Sequence, residues 1–290
     1  MKVLVTGAAG FIGQHVYREL VRRADIFVVG LDTCERPESW YGEWVTADIT
    51  KPLAPIHGLH AVIHLAAMAA PRECDANPSK AFDVNVNGTL QVLKLALASG
   101  AHKFLFSSSA HVYGISPKYM PTDETHPLAL GNTYTTTKIL GEQLCELYHE
   151  NHGLNYTTLR LYNTYGPGQG LGYFIPDMGA KKEIRLKDGN TTKDWVYVED
   201  VAKAFVLALE TKYVGPINIG TGMETQLDVI ARLIANKTGA TFESQSSNDA
   251  TRMQANVARA GRVLGWHAET QLWEGLRACY PEVKESAIPA

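Results

Sequence analysis

The chain has 290 residues, of which 45% are hydrophobic and 20% charged. That balance excludes a disordered or fibrous protein and leaves enough apolar side chain to bury a sizeable core. Lys+Arg 27 against Asp+Glu 30 gives a formal charge of -3 with no run of like charges, so the basic patch of a nucleic-acid binder is missing. No apolar run reaches the ~20 residues that span a bilayer. The glycines within Met1–Gly13 break any signal-peptide core. Cys34, Cys74, Cys145 and Cys279 are scattered, which fits neither a disulfide framework nor a metal site. The expectation is a cytoplasmic globular protein with no structural metal, no nucleic-acid partner and no membrane association.

In chain order, Lys2–Thr6 reads as a strand and Phe11–Arg23 as a helix, with Phe11, Ile12, Val16, Leu20 and Val21 near a 3.6 period. Ile26–Leu31, Ala61–Ala67 and Lys103–Ser107 are continuous apolar runs of the kind buried on both faces of a parallel sheet. Between them, Val84–Ser99 reads as a helix with Leu90, Leu93 and Leu97 inward and Gly100 as its stop. This alternation predicts a doubly wound α/β parallel sheet. After Arg160 the texture changes. Asn163–Tyr173 reads as loop, Asp194–Val201 and Gly215–Gly222 as short strand-like runs, Leu227–Lys237 and the stretch ending at Leu276 as helices. The predicted organisation is a dinucleotide-binding Rossmann domain over 1–168 and a smaller, mixed substrate domain over 169–290. Parts of 191–222 return to the first, and a ligand cleft lies between the two.

Thr6-Gly7-Ala8-Ala9-Gly10-Phe11-Ile12-Gly13 follows the first strand and opens the first helix. Such a junction offers free amides and the positive end of the helix dipole to a pyrophosphate, with glycines because side chains would block its approach. Asp32 ends the second strand, 19 residues beyond Gly13, where a carboxylate accepts from ribose hydroxyls and repels a 2′-phosphate. The predicted cofactor is NAD rather than NADP.

Tyr134 and Lys138 stand one helical turn apart on one face. A phenol near ~10 is a poor base at neutral pH, and an adjacent cation stabilises its phenolate. A second such pair, Tyr280 and Lys284, contains Pro281 and reads as a surface accident. Ahead of Tyr134, Ser107-Ser108-Ser109-Ala110-His111-Val112-Tyr113-Gly114 leaves a buried strand at the sheet edge, where a hydroxyl can donate to a substrate oxygen.

These segments, with Ala47-Asp48-Ile49, His64-Leu65-Ala66-Ala67, Asn85-Val-Asn-Gly-Thr89, Leu159–Pro167, Lys193–Asp200, Asn218-Ile-Gly220 and Leu264-Gly265-Trp266, resemble the extended short-chain dehydrogenase/reductase family. Its members include nucleotide-sugar epimerases, dehydratases and reductases. The resemblance implies that Gly7, Gly10, Phe11, Ile12 and Gly13 hold the NAD pyrophosphate and Asp32 the ribose. Asp48 and Ile49 would flank the adenine, with Leu65, Ala66, Ala67, Asn85 and Ser107 lining the groove. Ser109, Tyr134 and Lys138 match the catalytic triad, Lys138 also binding the nicotinamide ribose. Tyr162 and Asn163 would lie where nicotinamide and substrate meet, and His111, Phe174, Lys193 and Arg252 on the substrate side. A homodimer through Val84–Ser99 and Tyr134–Tyr148 is also implied.

Departures from the family pattern bear on the reaction. Ala110-His111 stands where dehydratases and decarboxylating relatives carry an acid, although His111 is itself a candidate acid/base. Lys193 replaces a diphosphate-binding arginine and lacks its bidentate fork. A second such arginine is missing from Ser246-Ser247-Asn248-Asp249, with Arg252 the nearest substitute. His60 and His64 belong to an apolar strand, where period 2 makes them structural rather than ligating. The leading expectation is a C4 epimerase of a nucleotide-sugar, UDP-glucose 4-epimerase-like. A reductase or dehydrogenase with exchangeable cofactor, a dehydratase acting through His111, and a dinucleotide-sensing regulator remain as alternatives.

Overall fold

Apolar runs from both halves of the sequence pair in parallel into one seven-stranded sheet in the computed structural model, which describes residues 1–281. Lys284 therefore lies outside the described residues. The first half supplies β1 (Lys2–Thr6), α1 (Phe11–Leu20), β2 (Phe27–Asp32), β3 (Glu43–Thr46), β4 (Ala61–His64), α2 (Pro71–Ala76) and α3 (Pro78–Phe82). A π-helical turn (Asp83–Asn87) leads into α4 (Gly88–Ala98), followed by β5 (Lys103–Ser109), a 3-10 turn (Ala110–Tyr113) and α5 (Thr133–His152). Next come β6 (Asn155–Leu161), β7 (Asn163–Tyr165), α6 (Phe174–Gly179), β8 (Glu183–Leu186), β9 (Thr192–Tyr197), α7 (Val198–Ala208) and β10 (Gly215–Ile219). β11 (Glu224–Gln226), α8 (Leu227–Thr238), β12 (Thr241–Ser244), α9 (Ala258–Leu264) and α10 (Leu272–Cys279) complete the chain.

The strand order β10-β6-β5-β4-β1-β2-β3 reverses between β1 and β4. A crevice opens outside the carboxyl ends of the strands at such a reversal. Alternate residues of β1 feed opposite faces, as a strand requires. Val3 and Val5 pack with Val16 and Leu20 of α1 and Phe205 of α7. Leu4 packs with Val62, Phe104, Phe106 and the α4 residues Val92 and Leu93. A third cluster, with Tyr165, Ile175, Ile184, Trp195, Ile230 and Leu276, holds together β7, β9, α6, α8 and α10.

Several boundaries differ from the sequence reading. α1 stops at Leu20, leaving Val21 half exposed and Arg22 and Arg23 beyond it. The helix expected from Val84 starts as the π turn, and α4 turns Val92, Leu93, Leu95 and Ala96 inward, with Leu90 and Leu97 only partly buried. Asn163–Tyr165, read as loop, is a strand because β9 pairs with it. The run from Asp194 divides, its second part opening α7 at Val198. β3, unmarked in the sequence reading, forms the sheet edge beside β2.

Candidate active site

The crevice is a cleft of about 1030 Å³. Its lining includes Gly7, Gly10, Phe11, Ile12, Gly13, Asp32, Asp48, Ile49, Leu65, Ala66, Ala67 and Ser107, and also Ser109, His111, Tyr134, Lys138, Tyr162, Asn163 and Phe174. Residues far apart in sequence thus share one space, as expected. The cleft also has walls that the sequence reading missed, notably Met68, Trp195 and Met253.

At one end, Gly7 has φ +68, and a β-carbon on it would lie 2.7 Å from the Ala66 amide nitrogen. A β-carbon on Gly13 would lie 2.2 Å from Gly7 O. The turn is therefore packed against both β4's exit loop and the start of α1, with no room for side chains. No side chain caps the N-terminus of α1, so its first amides remain available to an anion at the cleft wall. Asp32 is held rigid: Oδ2 accepts from Ala9 N at 3.0 Å and Oδ1 from Thr33 N at 2.8 Å. Asp48 accepts from Thr50 N, which keeps its carboxyl below the usual range and ionised. Backbone donors at one point and a fixed carboxylate at the next fit the pyrophosphate and ribose of a dinucleotide.

At the other end, β5 and α5 bring Ser109, Tyr134 and Lys138 together. Asn132 caps α5 by accepting from Thr135 N at 2.9 Å, and the next turns present Tyr134 and Lys138 to the end of β5. Lys138 Nζ donates to Ser107 O at 2.8 Å and lies 5.8 Å from the Tyr134 ring centre. Burial pushes the lysine down to about 8. Burial also pushes the Tyr134 phenol up, against the pull of its hydrogen bond with Ser109. Desolvation thus outweighs the Ser109 bond, and the expected depression by Lys138 is not among the influences that set the phenol. Ser109 Oγ also accepts from His111 N at 3.2 Å. His111 sits edge-on to Tyr134, ring centres 6.2 Å apart. Burial, helped by Lys193, lowers it to about 4, so it is neutral at pH 7.

Three predicted residues stand elsewhere. Asn85 is buried beside the cleft: it accepts from Met68 N, donates to Met68 O and Thr137 Oγ1, and so ties the cleft wall to α5. Lys193 is not part of the lining; its Nζ is 3.5 Å from Thr251 Oγ1. Arg252 turns away to pair with Glu224 through both Nε and Nη2, because that carboxylate satisfies its fork. His60 and His64 are structural: His60 accepts from Lys2 N, and His64 bridges the Thr6 and Thr89 hydroxyls.

The model of the NAD dependent epimerase/dehydratase family matches residues 3–220. A relative from Methanocaldococcus jannaschii, provisionally named a UDP-glucose 4-epimerase, is 34% identical over 95% of this chain and 96% of its own. UDP-glucuronic acid decarboxylase 3 of Arabidopsis thaliana is 30% identical over 95% of this chain and 87% of its own. The structure of a UDP-glucose-4-epimerase from Stenotrophomonas maltophila, with bound NAD and formylated UDP-arabinopyranose, superposes with a TM-score of 0.87 at 28% identity. That match covers 97% of each chain. The chain belongs to the NAD dependent epimerase/dehydratase family. It is an enzyme of that nucleotide-sugar family, dependent on NAD, which sets aside the dinucleotide-sensing regulator.

Proposed function

We propose that the chain epimerises a nucleotide-sugar at C4, with Tyr134 as its acid and base. The observation that carries this reading is the composition of the cleft around Tyr134. The acids in the described lining, Asp32, Asp48 and Asp83, belong to the dinucleotide side. Ser107–Ser109, His111, Tyr162, Asn163, Phe174, Trp195 and Met253 make up the other. With no carboxyl beside the sugar, abstraction of a further carbon-bound proton for elimination lacks its base.

NAD, when bound, supplies a reversible hydride acceptor with a positively charged ring. Gly7, Gly10 and Gly13, with the Phe11 and Ile12 amides, hold its pyrophosphate; Asp32 holds the ribose; Asp48 and Ile49 flank the adenine. Tyr134 takes the proton of the 4-hydroxyl and returns it to the same oxygen after the keto-sugar has turned over. Ser109 bonds that oxygen, and the Lys138 ammonium offsets the phenolate charge and holds the nicotinamide ribose. Phe174, Trp195 and Met253 form the wall on which the sugar turns, with Tyr162, Asn163 and neutral His111 as its polar contacts. Lys193, felt at His111, adds positive field for a diphosphate.

The test is to incubate purified protein with UDP-glucose and with UDP-glucuronate and to identify products by mass spectrometry and NMR. The expected product is the C4 epimer. Loss of carbon dioxide, which the decarboxylase relatives make the second reading, would replace this assignment. Tyr134→Phe should retain NAD and lose nearly all turnover.

The described helices include none long and apolar enough to cross a membrane, and the four cysteines are free, as in a reducing compartment. We assign the enzyme to the cytoplasm. We also assign it a homodimer through α4 and α5, on whose surface Leu147 is about half exposed; a monomer in light scattering would refute that.

A further inference from the structure

The last residues of β5 are joined to α5 one after another. The Ser107 carbonyl accepts from Lys138, Ser108 Oγ donates to Glu142 Oε1 at 2.5 Å, and Ser109 is bonded to Tyr134. Tyr134, Lys138 and Glu142 recur every fourth residue and form one stripe on the helix. Two of them meet the reaction, whereas Glu142 lies outside the cleft lining. Both of its oxygens are taken by Arg160, Nε to Oε1 at 3.0 Å and Nη2 to Oε2 at 2.6 Å. Both side chains are buried. Arg160 stands on β6 opposite Ser108 in the sheet register. Its Nη1 donates to Tyr113 OH at 3.0 Å, and that hydroxyl donates to Asn218 Oδ1 of β10 at 2.6 Å. One pair thereby grips the helix of the triad, the strand ends beneath it and the turn that carries His111.

A buried ion pair is a poor way to gain stability, since apolar residues of the same volume often serve as well. A bidentate fork, however, fixes both distance and angle. The helix here has no slack, because a β-carbon on Gly141 would lie 2.4 Å from Phe106 Cζ, and Lys138 Nζ lies 5.2 Å from the centre of that same ring.

We propose that Glu142 and Arg160 are positioning residues for Tyr134 and Lys138, locking the register of α5 on the ends of β5 and β6. The proposal rests on the assignment of Tyr134 as acid and base. The other titratable groups facing the stripe are Cys74 on α2, His64 on β4, His111 and Tyr113 in the turn, Cys145 on α5, Tyr156 on β6 and Tyr173 ahead of α6.

The test compares Glu142→Gln, Arg160→Met and the double variant, with a UDP-hexose as probe. Bound dinucleotide is measured by mass spectrometry, kcat and KM by product formation, and the Tyr134 titration by phenolate absorbance with Tyr134→Phe subtracted. Each variant should keep its dinucleotide and KM while kcat falls by about 10- to 100-fold, the scale of a small misplacement of reacting groups. Glu142→Gln leaves the Arg160 charge unpaired and should shift the Tyr134 titration to lower pH. Arg160→Met leaves the Glu142 charge unpaired and should shift it to higher pH. The double variant should titrate as wild type yet remain slow. Shifts in one direction for both single variants, or full kcat in the double variant, would overturn the proposal. If a single variant does not fold, the double variant decides, since it leaves no orphan charge. A wild type that turns over no UDP-hexose would overturn the epimerase reading instead. The absorbance titration needs no substrate and still judges the pair.

Discussion

Gly13→Ala probes the phosphate turn where it has least room. The added carbon would lie 2.2 Å from Gly7 O and 2.9 Å from both Ala8 Cα and Ala8 O. Ordinary contact is near ~3.5 Å, so backbone on one side must retreat by about 1 Å. Gly7 O also accepts from Gly10 N, and Ala9 N is held by Asp32, so the retreat strains two hydrogen bonds as well. Overpacking costs about 1–3 kcal/mol, and each weakened bond adds up to about 1 kcal/mol. At roughly 2–4 °C per kcal/mol for a chain of this size, the melting temperature should fall by roughly 2–20 °C. The amides of Phe11 and Ile12 move with the turn, so the variant should be purified without stoichiometric NAD. The assays are thermal unfolding and mass spectrometry of dinucleotide released on denaturation. Gly10→Ala, whose new carbon meets only Gly7 O at 3.0 Å within close range, should be milder on both. A Gly13→Ala protein with full NAD and an unchanged melting temperature would refute the turn as the pyrophosphate seat.

Asp32→Ser removes the charge that repels a 2′-phosphate, so the preference for NAD over NADP should shrink by about tenfold or more; fluorescence titration with the two reduced cofactors measures it. Burial sets Lys138 at about 8, so its charge is present below that pH and lost above it. Turnover should decline on the alkaline side, and Lys138→Arg, charged throughout, should lack that decline even if slower. Burial, then Lys138, pushes His64 to about 3 from an ordinary 6.5, so the unfolded chain binds the extra proton first. Its contribution to stability is whole above pH 6.5 and is lost as pH falls towards 3; a flat unfolding midpoint across that window would contradict the buried, neutral ring. Arg252→Ala should leave KM for the nucleotide-sugar within about twofold, because the exposed pair with Glu224 is weak and outside the cleft lining. A tenfold rise would put Arg252 back in the diphosphate site.

The glycine turn and Asp32 at one end of the cleft were legible because their requirements are local. A glycine spacing between a strand and a helix, followed by Asp32, states a backbone shape within one βαβ unit. The convergence of Ser109, Tyr134 and Lys138 was legible once Ser109 and Tyr134 were both placed near the sheet edge. β7 was not, because three residues, Asn163–Tyr165, have no periodicity of their own and form a strand only through pairing with β9. Arg252 was misplaced because the direction of its side chain depends on Glu224, distant in sequence. Trp195 and Met253 were missed as walls for a related reason: nothing nearby in the chain marks an apolar residue as facing a cavity rather than a core. Asn85 was found but misassigned, since its amide serves the loop beside the cleft and not the cleft itself.

The cleft is made of two materials. One end is a turn of glycines, of which Gly7 and Gly13 leave no room for a β-carbon against neighbouring backbone, followed by the fixed carboxylate of Asp32. The other end is walled by side chains, Phe174, Trp195 and Met253 among them, borne by elements that share a hydrophobic cluster of their own or lie beside it. Sequence drift is therefore tolerated unequally. A lineage can reshape the side-chain wall, one residue at a time, while the glycine turn stays as it is.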